Sequence, residues 1–349
     1  MNYKFFTNSE KAWGSMFEAV SDARKSIYLE MYIFQNDMRE FDFNKLLIEK
    51  AKNGVRVRLI LDSFGSAGLE GGAIAELEEF GVEILYHSYL LHHMHRKVLV
   101  VDENIAFIGG VNLQQTSRFW NDLMVRIKGN LVEKVVASFV KSYSNAGGKD
   151  PELLGKISRI TDDKVDSWIV DHSPVRNKYH FKRIYKRYLN KASESITLIT
   201  PYFIPKRWLS AILHQAVLRG VKVEILVPKH TDNGYIMDHV NYFYIYKLSQ
   251  LGIKFYIERE MNHAKALIID QREAMVGSQN IDFFSFDFNS EIGIFFKDLK
   301  AVSELCHIAE GWKKDSTLFD SKTYKPKWFD YILSPLINLS SLFSRIFLD

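Results

Sequence analysis

Two stretches of the chain carry the same reactive side chains at the same spacing. The first is His95-Arg96-Lys97, four residues, Asp102, six residues, then Gly109-Gly110-Val111-Asn112. The second is His263-Ala264-Lys265, four residues, Asp270, six residues, then Gly277-Ser278-Gln279-Asn280, with equivalent positions 168 residues apart. An imidazole, an ammonium and a carboxamide, each present twice, are the groups needed to hold a phosphate diester and exchange one of its ester oxygens. Lys97 and Lys265 supply point charges against the non-bridging oxygens. Asn112 and Asn280 add neutral donors, and the small residues beside them let the backbone come close to a ligand. One neutral imidazole attacks phosphorus to form a phosphohistidine; the other protonates the leaving oxygen and then deprotonates the incoming alcohol or water. A histidine pKa near neutrality serves both roles without a metal. A lone His-x-Lys arises by chance, but two full copies with identical internal spacing do not.

These groups need a rigid edge to stand on. His and Lys two residues apart point to the same face of a strand. The apolar residues that follow, Val98 to Val101 and Ala266 to Ile269, suit a strand buried on both sides. Asp102-Glu103-Asn104 and Asp270-Gln271-Arg272 supply turns, and a second apolar run leads to the small residues. Each copy therefore reads as a hairpin that brings its reactive groups to one edge of a sheet.

The duplicated His-x-Lys-x4-Asp pattern resembles the signature of the phospholipase D superfamily. Further segments resemble bacterial cardiolipin synthases: Leu29-Glu30-Met31-Tyr32-Ile33-Phe34, Met94 to Lys97 with Ile105 to Gly110, Thr200-Pro201-Tyr202-Phe203-Ile204-Pro205, Arg219 to Val223, and Asn289-Ser290-Glu291. The resemblance runs from about Phe17 to about Phe296. It implies an α/β fold of two fused phospholipase D-like α/β/α sandwich halves related by a pseudo-twofold, with the active site at their interface. It also implies His95 as nucleophile and His263 as general acid/base, with Asp122 and Glu291 as the acids that orient the histidines. Asp102 and Asp270 complete the catalytic signature, and are expected to brace the hairpin rather than touch substrate.

The rest of the chain fits two such halves. Its 349 residues divide into a first half at 1–150, a second at 151–327 and a terminal segment at 328–349. A hydrophobic content of 47% supports a large core, and a net charge of +4 implies no polyanion partner by itself. A single cysteine, Cys306, excludes an internal disulfide and fits a reducing compartment. No long apolar run follows Met1 to Thr7, so neither a signal peptide nor a leading membrane span is expected.

Strands and helices alternate in both halves: helix 9–26, strand 26–34, helix 44–53, strand 54–62 and strand 81–86, then strand 195–199, helix 208–218, strand 220–227 and helix 235–251. Such alternation predicts largely parallel sheets between helices. Glu30, between Tyr28 and Tyr32 on one strand face, reads as a residue at a wet sheet end or one kept for a site. The glycine-rich loop 63–72 lacks the Lys-Ser/Thr ending of a phosphate loop and reads as a mobile connection near the site mouth. His92 and His93 adjoin the first motif, but no Cys/His set at zinc spacing accompanies them, so no metal and no cofactor is expected.

Two stretches point outward. From Arg176 to Lys191, basic residues interleave with Tyr179, Phe181, Tyr185 and Tyr188 without an acid. The pattern fits a solvated helix face with aromatics inward, contact with anionic lipid headgroups, or a nucleic-acid backbone. Residues 328–349 place Leu336, Leu339, Leu342, Phe343, Ile346 and Phe347 on one helical side after a basic lead-in. That suits a helix lying in a membrane interface, or a last helix packed on the core.

The activity these features imply is a cardiolipin synthase-like condensation of two phosphatidylglycerols to cardiolipin and glycerol. The expected setting is cytoplasmic, on the anionic inner face of the cell membrane. Hydrolysis of phospholipid to phosphatidic acid ranks next, and a phospholipase D-like nuclease third, with the amphipathic end counting against nucleic acid. A non-catalytic lipid-binding module ranks last, because no motif residue is missing.

Overall fold

Each copy of the sequence builds the same unit: three parallel strands joined through helices, extended by the antiparallel motif hairpin. The protein was studied as a computed structural model, in which residues 2–36, 38–87, 92–156 and 166–332 are described. The first half contains β1 (Asn2–Asn8), α1 (Ser9–Ser21), β2 (Ser26–Met31), α2 (Phe43–Lys52), β3 (Arg56–Asp62), α3 (Gly71–Glu79), β4 (Glu83–His87), β5 (Lys97–Val101), β6 (Ile105–Gly109), β7 (Asn121–Lys128), α4 (Leu131–Asn145) and α5 (Pro151–Leu154). The second contains β8 (Ser167–His172), α6 (His180–Lys191), β9 (Ser195–Ile199), α7 (Arg207–Leu218), β10 (Lys222–Pro228), α8 (Gly234–Ser249), β11 (Lys254–Glu258), β12 (Ala266–Ile269), β13 (Glu273–Gly277), α9 (Phe283–Asp287), β14 (Glu291–Phe296), α10 (Leu299–Lys314) and β15 (Ser316–Leu318).

The strand orders are β1-β7-β6-β5-β2-β3-β4 and β15-β11-β10-β9-β12-β13-β14-β8. Only β2-β3-β4 and β9-β10-β11 pair in parallel; all other neighbours are antiparallel. The expectation of largely parallel sheets is therefore corrected. Helical crossovers make the outer strands parallel, but each motif hairpin reverses direction and recruits the strand after it.

β2, β5 and β12 are buried along their whole length, as the apolar runs Val98 to Val101 and Ala266 to Ile269 require, with Glu30 buried among the apolar residues of β2. Between the sheets lies one shared core, with Val98, Val100, Ile108 and Phe139 from the first half and Ile268, Val276, Ile294 and Val302 from the second. Phe5 meets Phe296 edge-on across this seam, with ring centroids 5.7 Å apart. Separate apolar clusters under α1–α3 and α6–α8 cover the outer faces. Residues 151–156 pack on the first half, where Glu152 pairs with Arg56 at 2.5 Å. On α6, Phe181, Tyr185, Tyr188 and Leu189 are buried and Arg183, Lys186, Arg187 and Lys191 are exposed, so its aromatics face inward. Of the stretch 328–349, residues 333–349 lie outside those described.

Glu30 occupies neither position expected of it. It is fully buried and accepts an ion pair from Arg96 Nε at 2.9 Å; Arg96 also reaches Asp171 at 3.1 Å and Ser138 at 2.8 Å. Burial raises the Glu30 pKa while Arg96 opposes that rise. The variable residue of the first His-x-Lys thus ties β2 to β8 across the seam. Removing one partner of a buried pair leaves an uncompensated charge. Arg96→Met should lower unfolding free energy by about 3–5 kcal/mol, and Glu30→Gln in the same chain should restore part of it. Urea titration of the single and double variants measures both; equal stability of Arg96→Met and the parent would refute the tie.

Candidate active site

The backbone places the two histidines before any side chain acts. The His95 N–H donates to Ser290 O at 2.9 Å, and the Ser290 N–H donates to His93 O at 2.9 Å. In the other copy the His263 N–H donates to Asn121 O at 2.7 Å, and the Asn121 N–H donates to Met261 O at 3.0 Å. Each histidine is therefore clamped to the start of a strand in the opposite half. The next residue of that strand is an acid. Glu291 lies 3.0 and 3.1 Å from His95 Nδ1, and Asp122 lies 2.8 Å from His263 Nδ1. The sequence pointed to these two acids; the pairing across the seam is the structure's addition. With both Nδ1 atoms engaged, Nε2 is the nitrogen left for chemistry on each ring.

Lys97 and Lys265 are buried, and each donates from Nζ to the carbonyl of its own motif histidine, Lys97 to His95 at 2.8 Å. Tyr32 packs edge-on against His95 at 4.7 Å and under Lys97 at 4.8 Å, and Trp120 lies 5.7 Å from His263. Burial, followed by the ammoniums of Lys97 and Lys265, holds His95 well below the usual imidazole range. Burial and then Lys265 also lower His263, with Asp122 pulling the other way. Burial brings Lys265 down to about 8 and puts Lys97 well below an ordinary lysine.

The two carboxylates differ. Burial pushes Glu291 up to about 8 against the pull of Lys97 and the hydroxyls of Ser278 and Ser285. Burial also raises Asp122, but His263 and Lys265 outweigh it and keep the group below the usual aspartate value. Both imidazoles are therefore held below the ordinary value, and only the second has an ionised acid beside it that pulls it back towards carrying a proton. A site with two neutralising lysines, one neutral and one chargeable imidazole can divide nucleophile from acid.

Asn112 and Asn280 are both buried, and neither side-chain oxygen accepts a hydrogen bond from the described residues. The small residues beside them do a different job from the one expected. A Cβ on Gly110 would sit 2.2 Å from Asp122 Oδ1, and one on Gly277 would sit 2.5 Å from Ile292 O. They make room for the neighbouring strand, and at Gly110 for the acid itself, rather than for a ligand. At the position matching Gly110, Ser278 donates its hydroxyl to Glu291, as does Ser285 at 2.7 Å.

The geometry has its counterpart among known proteins. The family model described as cardiolipin synthase, PLD-like domain, matches residues 16–144 and 185–311. The chain belongs to this family. At the level of the family it is an enzyme of the phospholipase D superfamily. It is 29% identical to the probable cardiolipin synthase YwiE of Bacillus subtilis over 93% of the chain and 68% of that protein. It is also 29% identical to a cardiolipin synthase of Halalkalibacterium halodurans, over 87% of the chain. The chain covers 64% of that second relative's length. Phosphatidylserine synthase of Haemophilus influenzae shares the fold, with a TM-score of 0.78 over 99% of the chain and 93% of the other, at 13% identity.

Within this phospholipase D-type frame, the motif aspartates sit at the far end of their hairpins. Asp102 accepts from the N–H groups of Arg24, Lys25 and Ser26 at 3.0, 2.7 and 2.9 Å. Asp270 accepts from those of Ser193, Glu194 and Ser195 at 3.0, 2.8 and 2.9 Å. Both begin a turn whose first two residues have positive φ, 51° and 55° in one copy and 50° and 53° in the other, a backbone that aspartate tolerates. They anchor the hairpin to the start of β2 and β9, away from the imidazoles. Asp102→Ala or Asp270→Ala should cost about 2–4 kcal/mol of stability through three unpaired amides, and change kcat of the folded fraction less than tenfold. Thermal melts beside active-site-normalised rates test this; a large kcat loss without a melting shift would place these residues in the chemistry.

Several residues near the site escaped the sequence reading. Asp62 accepts from Phe64, Gly65 and Met94 N–H at 3.0, 2.8 and 2.8 Å, and Ser66 donates to Tyr32 O at 2.9 Å. The loop after β3, expected to be a mobile connection, is thus pinned to Tyr32 and to the first motif. His92 Nδ1 lies 3.0 Å from Phe288 O, and His93 Nδ1 lies 3.4 Å from Asp62.

Proposed function

We propose that this chain is a phosphatidyltransferase that condenses two phosphatidylglycerols into cardiolipin and glycerol. The observation that carries the reading is the pair of imidazoles held through Nδ1 by acids of opposite halves, beside two buried lysines. The naming of its relatives as cardiolipin synthases supports the choice of substrate.

His95 Nε2 attacks the phosphorus of the first phosphatidylglycerol. The bond from phosphorus to the glycerol oxygen breaks, and His263 gives that oxygen its Nε2 proton, so glycerol leaves and phosphatidyl-His95 remains. His263, now neutral, takes the proton of a headgroup hydroxyl on a second phosphatidylglycerol. The hydroxyl oxygen attacks phosphorus, the phosphorus–nitrogen bond breaks, and His95 is regenerated. Lys97 and Lys265 offset the charge that builds on the non-bridging oxygens, with Asn112 and Asn280 as neutral donors beside them.

The same reading takes 1–150 and 151–327 as the two halves, although residues 151–156 pack on the first, and has the segment 328–349 attach the chain to the anionic inner face of the cell membrane. No helix among the described residues is long and apolar enough to cross a membrane. The test is incubation with phosphatidylglycerol vesicles and mass spectrometry of the products. Cardiolipin plus free glycerol is expected. Phosphatidic acid alone would replace transfer with hydrolysis, and cleavage of a nucleic-acid diester without any lipid product would replace the substrate class.

A further inference from the structure

β2, β3, β9 and β10 all run toward the sheet edge at which His95 and His263 lead into β5 and β12. β7 and β14 start from that same edge. The loops at this edge expose large apolar side chains. Phe64, two residues past β3, is 71% exposed; Phe119, just before β7, is 72% exposed. Phe284, on the short helix leading into β14, is 40% exposed, and Tyr235 and Ile236, at the start of α8, are 66% and 60% exposed. Trp328 is 76% exposed, beside Phe329, whose ring lies 5.1 Å from His239 of α8.

Three of these side chains connect through ring contacts or chain neighbours to the residues around the reactive groups. The Phe64 ring lies 5.3 Å from His93, which meets Tyr32, the ring packed on His95. Phe119 precedes Trp120, which lies 5.7 Å from His263. Phe284 touches Phe288, whose ring lies 5.7 Å from His92. Lys327 Nζ donates to the Tyr235 hydroxyl at 3.0 Å, tying the segment before Trp328 to the same rim. By contrast, Leu218 and Leu299, exposed at the opposite edge, come singly from the end of α7 and the start of α10, as scattered surface leucines do.

We propose that this rim is a bilayer-docking face: the loops bearing Phe64, Phe119, Phe284, Tyr235, Ile236 and Trp328 insert into the interface of an anionic membrane and press the site mouth against it. The identity of what docks rests on the phosphatidyl-transfer reading. Aromatic side chains are the ones that settle at the headgroup level. Arg207, Lys229 and Lys327 lie exposed on the same edge, a charge that complements anionic headgroups. A protein seated on the rim would close the mouth through which a diacyl substrate must enter. A bilayer seated there delivers the substrate.

The test is a triple variant, Phe64→Ala/Phe119→Ala/Trp328→Ala, in the full chain. Its partition onto phosphatidylglycerol vesicles, read by co-sedimentation, should fall on the order of 100-fold, from the combined loss of three inserted side chains. Its turnover of a short-chain phosphatidylglycerol kept monomeric in solution should stay within about twofold of the parent. A Leu218→Ala/Leu299→Ala control at the opposite edge should bind vesicles as the parent does. Unchanged vesicle binding by the triple variant overturns the docking face. So does an equal loss in the control, an equal loss of turnover on monomeric substrate, or a parent dimer in solution that the triple variant dissociates. Vesicle binding that depends on the rim, in a parent that yields no lipid product, would sink the transfer reading and leave the docking face standing.

Discussion

His95→Ala is expected to lower turnover by on the order of 10⁴-fold or more, because in the proposed mechanism it removes the atom that forms the covalent intermediate. His263→Ala should be as inactive on phosphatidylglycerol, yet fail at a different step. The two are separated by a diester whose leaving group needs no proton, such as bis(p-nitrophenyl) phosphate. With it, the His263→Ala protein should release one equivalent of nitrophenolate per site and then stall, because nothing activates the second nucleophile. The His95→Ala protein should give no burst. The electrostatics support this division. Burial and two ammoniums hold His95 well below the usual imidazole range, so it is neutral and nucleophilic at neutral pH. The ionised Asp122 at 2.8 Å favours a proton on His263. Mass spectrometry of the stalled protein should find the phosphoryl group on His95; an adduct on His263 would exchange the two roles.

Much of this site is legible in the chain, because the chemistry is local to a repeated hairpin. The spacing of His95, Lys97 and Asn112 and its copy at His263, Lys265 and Asn280 assigns the groups, and the apolar runs assign the buried strands. Three things are not local. Nothing in the spacing says that Glu291 meets His95 while Asp122 meets His263, because that exchange is made by strands docking across the seam. The partner of Glu30 is Arg96, which occupies the variable position of the first motif, so the motif pattern hides it. Strand direction departs from the expected parallel order because strand–helix alternation describes only the three crossover strands of each half, while the hairpins reverse the rest. One difference between the copies is a usable signal. Glycine at 110 and serine at 278 mark the unequal acids they adjoin: Gly110 leaves room for Asp122, and Ser278 donates to Glu291.

That inequality predicts unequal losses. Asp122→Asn removes a full negative charge from beside the imidazole that must carry a proton, and should cost on the order of 10³-fold in kcat/KM at neutral pH. Glu291→Gln removes a group that burial pushes up to about 8, so near neutrality it already shares a proton with its histidine. That substitution should cost only about tenfold. The pH profiles distinguish the two further. His95 must be neutral to attack and its folded pKa is depressed, so the acid limb of kcat/KM falls below the ordinary imidazole value of 6.5, with rate lost as pH drops through it. Glu291 has a raised pKa, so it gains its charge as pH rises through about 8 and strengthens the hold of His95 on a proton. A change in kcat/KM near pH 8 should therefore be present in the parent and absent in Glu291→Gln. Rescue follows the same division. The burst of nitrophenolate from the activated diester should be nearly normal in Asp122→Asn, whose defect is in proton delivery. Losses of equal size in the two variants, or a profile near pH 8 unchanged by Glu291→Gln, would show that the acids only brace the seam and do not tune the imidazoles.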